Sequence, residues 1–192
     1  MTQTIDHTRD LAQNNGWLKR YYFTRAAFSL VWVAAALALA DSATAVVAGL
    51  LVIYPAWDAI GNLVDAQRNG GLRRNPTQAF NLAVSTATTI AVATALTQSM
   101  NAVLGVFGVW AALTGVLQLA TALRRWKSSG GQWPMILSGI QSTAAGVGFI
   151  VESGSTAVPQ ITAIAPYAAF GAFYFLISAI WLTVVDARRR QA

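Results

Sequence analysis

The sequence predicts an all-α integral membrane protein: six transmembrane helices arranged as three parallel hairpin repeats, with the N- and C-termini cytoplasmic. Three observations carry that expectation. The 192 residues are 55% hydrophobic and only 10% charged, against about 25% charged in soluble domains. Six apolar runs, at 22–40, 43–64, 77–97, 101–122, 133–151 and 158–185, each come near the roughly 20 residues that cross a bilayer. The thirteen Lys and Arg residues all fall on one side of the alternating connections.

Taken in order, residues 1–20 form a polar cytoplasmic N-terminal segment. The first hairpin, 22–64, turns at "DSAT" (41–44). The second, 77–122, turns at "TQSMN" (97–101), and the third, 133–185, at "ESGST" (152–156). This leaves no room for a separate soluble domain, so 1–192 reads as a single membrane domain. Arg25 sits at the start of the first run, where a long cationic side chain snorkels from a helix end. "RRNPTQ" offers Asn75 as an N-cap ahead of Pro76, and Pro134 falls in the first turn of the fifth helix. Pro159 marks the start of the sixth run, which leaves Pro166 as a kink candidate. Trp17, Tyr21, Tyr22, Trp126, Trp133 and Trp181 lie near the cytoplasmic ends, as an interfacial aromatic belt requires. Ala38-Leu39-Ala40 resembles a signal-peptidase site, but its polar leader is long and cleavage would break the hairpin pattern.

The charges orient the chain. Arg9, Lys19, Arg20 and Arg25 belong to the N-terminal end, and Arg68, Arg73 and Arg74 to the second connection. Arg124, Arg125 and Lys127 belong to the fourth, and Arg188, Arg189 and Arg190 to the C-terminus. The tips hold Asp41 and Glu152 and no basic residue. The positive-inside rule places the basic connections in the cytoplasm. The net charge of +6 therefore expresses topology and attraction to anionic lipids of that leaflet, with the bilayer as partner and not nucleic acid. With no cysteine and one histidine, His7, neither a thiolate nor an intramembrane histidine metal site is available, and no metal, cofactor or catalytic residue is expected. Ser85 is a conceivable nucleophile, but the sequence shows no base in reach of it.

Repetition is visible. The tips at Asp41, Thr97 and Glu152 recur every 55 or 56 residues, and "LVDAQR", "LATALRR" and "LTVVDARRR" end the three hairpins alike. Phe107-Gly108 and Phe170-Gly171 are each followed, seven residues beyond the glycine, by a small residue, Gly115 or Ser178. "AALTG" (111–115) and "STAAG" (142–146) are small-xxx-small faces, ending on Gly115 and Gly146, that let helix backbones approach. Intramolecular packing is the expected use of these faces and a homo-oligomer interface the alternative. Asn62, Asn81, Gln118 and Gln141 are buried amides for interhelical hydrogen bonds, each worth about 1 kcal/mol, or for lining a polar path.

Two ionisable residues are not flanks. Arg25 and Asp58 stand equally far from the first tip, about 25 Å along their helices at 1.5 Å per residue. They are therefore level on antiparallel neighbours in the cytoplasmic third of the bilayer. A carboxylate alone in hydrocarbon is costly, and a guanidinium beside it supplies bidentate hydrogen bonds. A structural ion pair between Arg25 and Asp58 is the expectation; a proton or ligand site at Asp58 is the rival. Pro55, one turn earlier, removes a helix hydrogen bond. Tyr54, Trp57 and Asp58, with Tyr22 from the facing helix, would then shape a small polar recess.

Over residues 20–188 the chain resembles the HdeD-like family of small bacterial membrane proteins. The carrying features are the length, the three hairpins, and "WPMILSGIQSTAAGVGFI" (133–150) with its Trp, Gly-Ile and Gly pattern. The resemblance implies an inner-membrane protein of bacteria linked to acid and stress tolerance, without catalytic residues to carry over. The expected function is thus a non-enzymatic role in stress tolerance or membrane organisation. The alternative is a small transporter or channel with a polar path around Asp58 and Arg25.

Overall fold

The computed structural model describes the backbone of residues 2–125 and 133–191, and side chains within 16–120, 122–123, 133 and 135–188. Trp126 and Lys127 lie outside the described residues, as does most of the fourth connection. The described chain is helical throughout: α1 (Thr2–Ala38), α2 (Thr44–Arg68), α3 (Pro76–Ala95), α4 (Met100–Arg125), α5 (Trp133–Ser153) and α6 (Ala165–Gln191), with single 3₁₀ turns at Leu72–Arg74 and Ile161–Ala163. The tips fall where the sequence places them, between α1 and α2, α3 and α4, and α5 and α6.

Among the described residues, five helices are long and apolar enough to cross a membrane: 16–38, 44–68, 100–120, 135–153 and 161–188. α3 has the length, at 20 residues. Its load of Thr77, Gln78, Asn81, Ser85, Thr86, Thr88, Thr89 and Thr94 makes it too polar to qualify. Large apolar side chains point outward around the molecule, among them Val31, Ile90, Leu137, Val151 and Ile180. In water such a surface invites aggregation; against lipid tails it is what a spanning helix presents.

Two differences from the sequence reading have local causes. α1 begins at Thr2, so the polar N-terminal segment is helical and continuous with the first span. Pro166 is the second residue of α6, where the missing N–H has no helical acceptor to lose. It helps start the helix and does not kink it. Pro55 does lie inside α2, which remains one helix from Thr44 to Arg68.

The helices divide into two compact units, residues 1–33 with 168–192, and residues 34–167. In the first, Lys19 Nζ lies 2.7 Å from Asp186 Oδ2, and Trp17 stacks on Tyr21. Such a part-exposed ion pair contributes about 0–1 kcal/mol, so it is secondary to the aromatic contacts. In the second unit α2 packs on α3, α3 on α4, and α4 on α5. These are antiparallel contacts, and the first and last of them run across the longer connections.

The α2–α3 connection is knitted by its own residues. Gly70 and Gly71 both adopt positive φ, +93° and +90°, which glycine alone enters without a Cβ penalty. This lets the Gly71 N–H reach back to the Ala66 carbonyl at 2.8 Å. Asn75 precedes Pro76 as expected, but its side chain makes no cap bond to α3. Its Nδ2 instead donates to the Asn69 and Gly71 carbonyls, at 2.8 and 2.9 Å. Ser99 is the cap that sequence reading missed, its hydroxyl accepting from the Ala102 N–H at 3.0 Å. Asn101, the second residue of α4, donates to the Ser155 and Ala157 carbonyls at 3.1 and 3.0 Å and so clasps the α5–α6 connection. Asn101→Ala is expected to cost about 0.5–1.5 kcal/mol and to speed limited proteolysis between residues 153 and 160.

Along α4 and α5 the two backbones touch. A Cβ added at Gly108 would meet the Gly146 carbonyl at 2.8 Å, and one at Gly115 would meet the Thr143 amide nitrogen at 2.5 Å. From the other side, Gly139 faces the Gly115 carbonyl, and Gly146 faces Ala112 N and the Gly108 carbonyl. The seven-residue spacing on both helices keeps the glycines on one seam, as the small-residue faces predict.

Candidate functional site

The polar residues of the second unit converge on Ser85. One turn after Pro55, α2 presents Asp58. Its Oδ2 accepts from the Ser85 hydroxyl of α3 at 2.7 Å and from Asn62 Nδ2 at 3.0 Å. Ser85 Oγ in turn accepts from Trp110 Nε1 of α4 at 3.1 Å. A hydroxyl has one proton and two lone pairs. Here the proton goes to the carboxylate and one lone pair takes the indole N–H. Three helices are thereby tied by a chain running Trp110 to Ser85 to Asp58. Ser85 is fully buried and Trp110 nearly so, while Asp58 and Asn62 are half-buried.

An aromatic cluster surrounds the indole. Tyr54, Phe107 and Tyr167 meet Trp110 edge to face, with ring centroids at 5.9, 5.8 and 6.0 Å. Such pairs add about 0.5–1.5 kcal/mol beyond area burial. Tyr167 also meets Phe149, and its hydroxyl lies 3.3 Å from Ser142 Oγ, which donates to the Ala111 carbonyl at 2.9 Å.

The α2–α3 contact extends as a polar ladder. Gln78 Nε2 donates to Asp65 Oδ2 at 3.0 Å, while Asp58 bonds Ser85. Both pairs obey one antiparallel register, because seven residues back along α2 from Asp65 match seven forward along α3 from Gln78. That register sets Asn62 level with Asn81 between them. Asn62 Nδ2 bonds back to Asp58. Asn81 Oδ1 is buried and has no hydrogen-bond partner among the described residues. Carried the other way, the register sets Tyr54 level with Thr88 and Thr89, then Leu51 with Val92. Leu51 and Val92 are both 0% exposed. The stripe from Asn69 to Asp58 is therefore polar, and beyond Tyr54 the same contact is apolar and closed.

The predicted site residues separate into groups. Asp58, Asn62 and Asn81 share the ladder, with Tyr54 one turn away against Trp110. Trp57 is half-buried beside Asp58 on α2. Arg25 and Tyr22 belong to the first unit. There the Arg25 guanidinium lies over Phe175 at 4.7 Å and near Tyr21 at 5.9 Å, and Tyr22 stacks on Phe175. A buried guanidinium over an aromatic face gains a cation–π attraction. The Arg25–Asp58 pair joins residues of two units and stays an expectation. Gly115 and Gly146 form the dry α4–α5 contact. By the register of that contact, in which Gly115 lies between Gly139 and Thr143, Gln118 and Gln141 stand about three residues out of level, roughly 4.5 Å along the axis.

Sequence reading left Ser85 without a base in reach; the fold corrects this by setting the Asp58 carboxylate against its hydroxyl. Trp110, Gln78 and Asp65 were missed as members of the site. One signal points to the last two. Asp58, Asn62, Asp65 and Asn69 follow helical spacing on α2, as do Gln78, Asn81 and Ser85 on α3, which marks two polar faces that need each other.

Residues 83–151 match a family described as a short repeat of unknown function (DUF308). The matched span contains Ser85, Trp110 and all four glycines of the α4–α5 contact, and Asp58 lies outside it. No curated protein and no solved structure matches the chain.

Proposed function

We propose that this chain is a non-enzymatic, multi-pass inner-membrane protein of bacteria, HdeD-like, that contributes to acid or general stress tolerance as a structural or interaction component. In this reading it has three hairpin repeats and cytoplasmic termini, set by the positive-inside distribution. Its partners are the bilayer and anionic lipids at the basic connections, with a homo-oligomer as the alternative use of the small-residue faces. The single observation that carries it is the end of the polar ladder. Asp58, Ser85 and Trp110 tie three helices together, and the Leu51–Val92 layer closes the contact beyond them. A buried junction of this kind fixes helix register. The match of 83–151 to the short-repeat family and the resemblance of 133–150 to HdeD-like sequences support the family part. For a catalytic role, Ser85 would need access for a substrate, and it is wholly buried with its proton held by Asp58.

The rival, a small transporter or channel, draws on the same polar stripe and on Arg25, and requires a continuation past Leu51. The test is complementation of a deletion strain under acid challenge. Wild type and Arg25→Ala should restore survival, and Ser85→Ala should restore it only as far as it still accumulates in the membrane. Survival that is lost in Asp58→Asn at unchanged protein level, together with ion flux in proteoliposomes, would transfer the reading to the rival.

A further inference from the structure

We infer that the α2–α3 contact is a blind, water-filled cleft, opening at the Asn69–Asn75 connection and ending at Asp58 and Ser85, which gives the half-buried Asp58 carboxylate access to one aqueous compartment only. The inference does not rest on the stress-tolerance reading. Its starting point is Asn81 Oδ1, an amide acceptor buried between two satisfied layers with no partner among the described residues. The layers on either side are Asp65–Gln78 and Asp58–Ser85. A buried acceptor that no protein group meets is where an ordered water sits, given a polar site with further groups to hold it. Asn62, on the level of Asn81, and Asp58 and Asp65 on either side supply those groups.

Depth and polarity add a second argument. Asp58, Asn62 and Asn81 are half-buried and fall within the apolar runs 43–64 and 77–97, on α3 and on α2, which is long and apolar enough to cross a membrane. Carboxylates and amides at that depth do not face lipid tails; they face protein or a water-filled cavity. α3, which among the described residues is the long helix too polar for a span, is the other wall, so its excess polarity falls where the cleft requires it. The mouth is marked by exposed Asn69 and by Arg73 and Arg74, which keep headgroups and water over it. The floor is marked by Leu51 and Val92, both fully buried.

The chain has no cysteine, so single substitutions report one position each. Asn62→Cys, Asn81→Cys, Leu51→Cys and Val92→Cys proteins in oriented proteoliposomes are exposed to a small, charged methanethiosulfonate reagent from either side. Thiolate, the reactive form, needs water, so the two asparagine positions should react at least about tenfold faster than the two apolar ones, and only from the side of the α2–α3 connection. Wild-type protein in nanodiscs gives a reading free of substitution: the Asn81 side-chain amide should show magnetisation transfer from water. Asparagine positions as inert as Leu51, with no transfer from water at Asn81, overturn the cleft. Reaction at Leu51 and Val92, or from both sides, overturns its being blind.

Discussion

Gly146→Ala is expected to destabilise the protein by about 1–3 kcal/mol, whereas Gly148→Ala, two residues on, should be neutral or stabilising. Alanine is a better helix former than glycine by about 1 kcal/mol, so both changes begin with the same favourable term. What separates them is the neighbour. At Gly148 an added Cβ meets nothing within 4 Å. At Gly146 it would run into the Ala112 backbone nitrogen and the Gly108 carbonyl. Backbone atoms have no rotamer to yield with, so α5 must lift off α4 and the glycine contacts on both sides loosen together. The steric cost outweighs the propensity gain. Thermal unfolding in detergent, followed by circular dichroism, checks the opposite signs. Gly115→Ala should follow Gly146→Ala, since it would press on Thr143 N and the Gly139 carbonyl.

The second large effect is expected at Ser85. Removing its hydroxyl strands the buried Trp110 indole N–H and takes one hydrogen bond from the half-buried Asp58, whose Oδ2 still accepts from Asn62. Leaving a buried donor or acceptor unmet costs about 1–3 kcal/mol each, more for a charged group, so Ser85→Ala should lose about 2 kcal/mol or more. Ser142→Ala is the comparison. It removes a bond to the Ala111 carbonyl, which also accepts from Thr114, and should cost about 0.5–1.5 kcal/mol. Because the loss at Ser85 includes the stranded indole, Trp110→Phe in the Ser85→Ala background should cost less than in the wild type. A double-mutant cycle on unfolding midpoints measures that coupling. Additive effects would mean that the two side chains act separately.

Much of this fold was legible in the sequence. Apolar runs of spanning length and tips at Asp41, Thr97 and Glu152 marked the order of the helices, since lipid-facing residues leave few alternatives, although α1 starts well before its run, at Thr2, and α6 inside its own, at Ala165. Gly115 and Gly146 were readable as contact residues because small residues at helical spacing have one common use there. The α2–α3 partnership was not legible, although its residues were noticed singly. A tight tip sets the register of the helices that flank it, which is why Arg25 and Asp58 can be compared by counting. A longer connection leaves register open until its conformation is known. Here Gly70, Gly71 and Asn75 settle it, through positive φ angles and side-chain bonds to backbone carbonyls that composition does not reveal. Trp110 was hidden for a related reason: in a Gly- and Val-rich run an indole reads as lipid-facing or core, and only the fold aims its N–H at Ser85. Asp65 and Gln78 read as ordinary polar flanks of helix ends until the register joins them.

The most direct measurement is disulfide trapping across the α2–α3 contact in native membranes, which the absence of cysteine makes clean. The register predicts that Asn62→Cys paired with Asn81→Cys oxidises readily to an intramolecular disulfide, while Asn62→Cys paired with Val92→Cys, about 16 Å further along α3, does not. Efficient trapping of the out-of-register pair, or none at the level pair, would contradict the ladder from Asp65–Gln78 to Asp58–Ser85 and the account built on it.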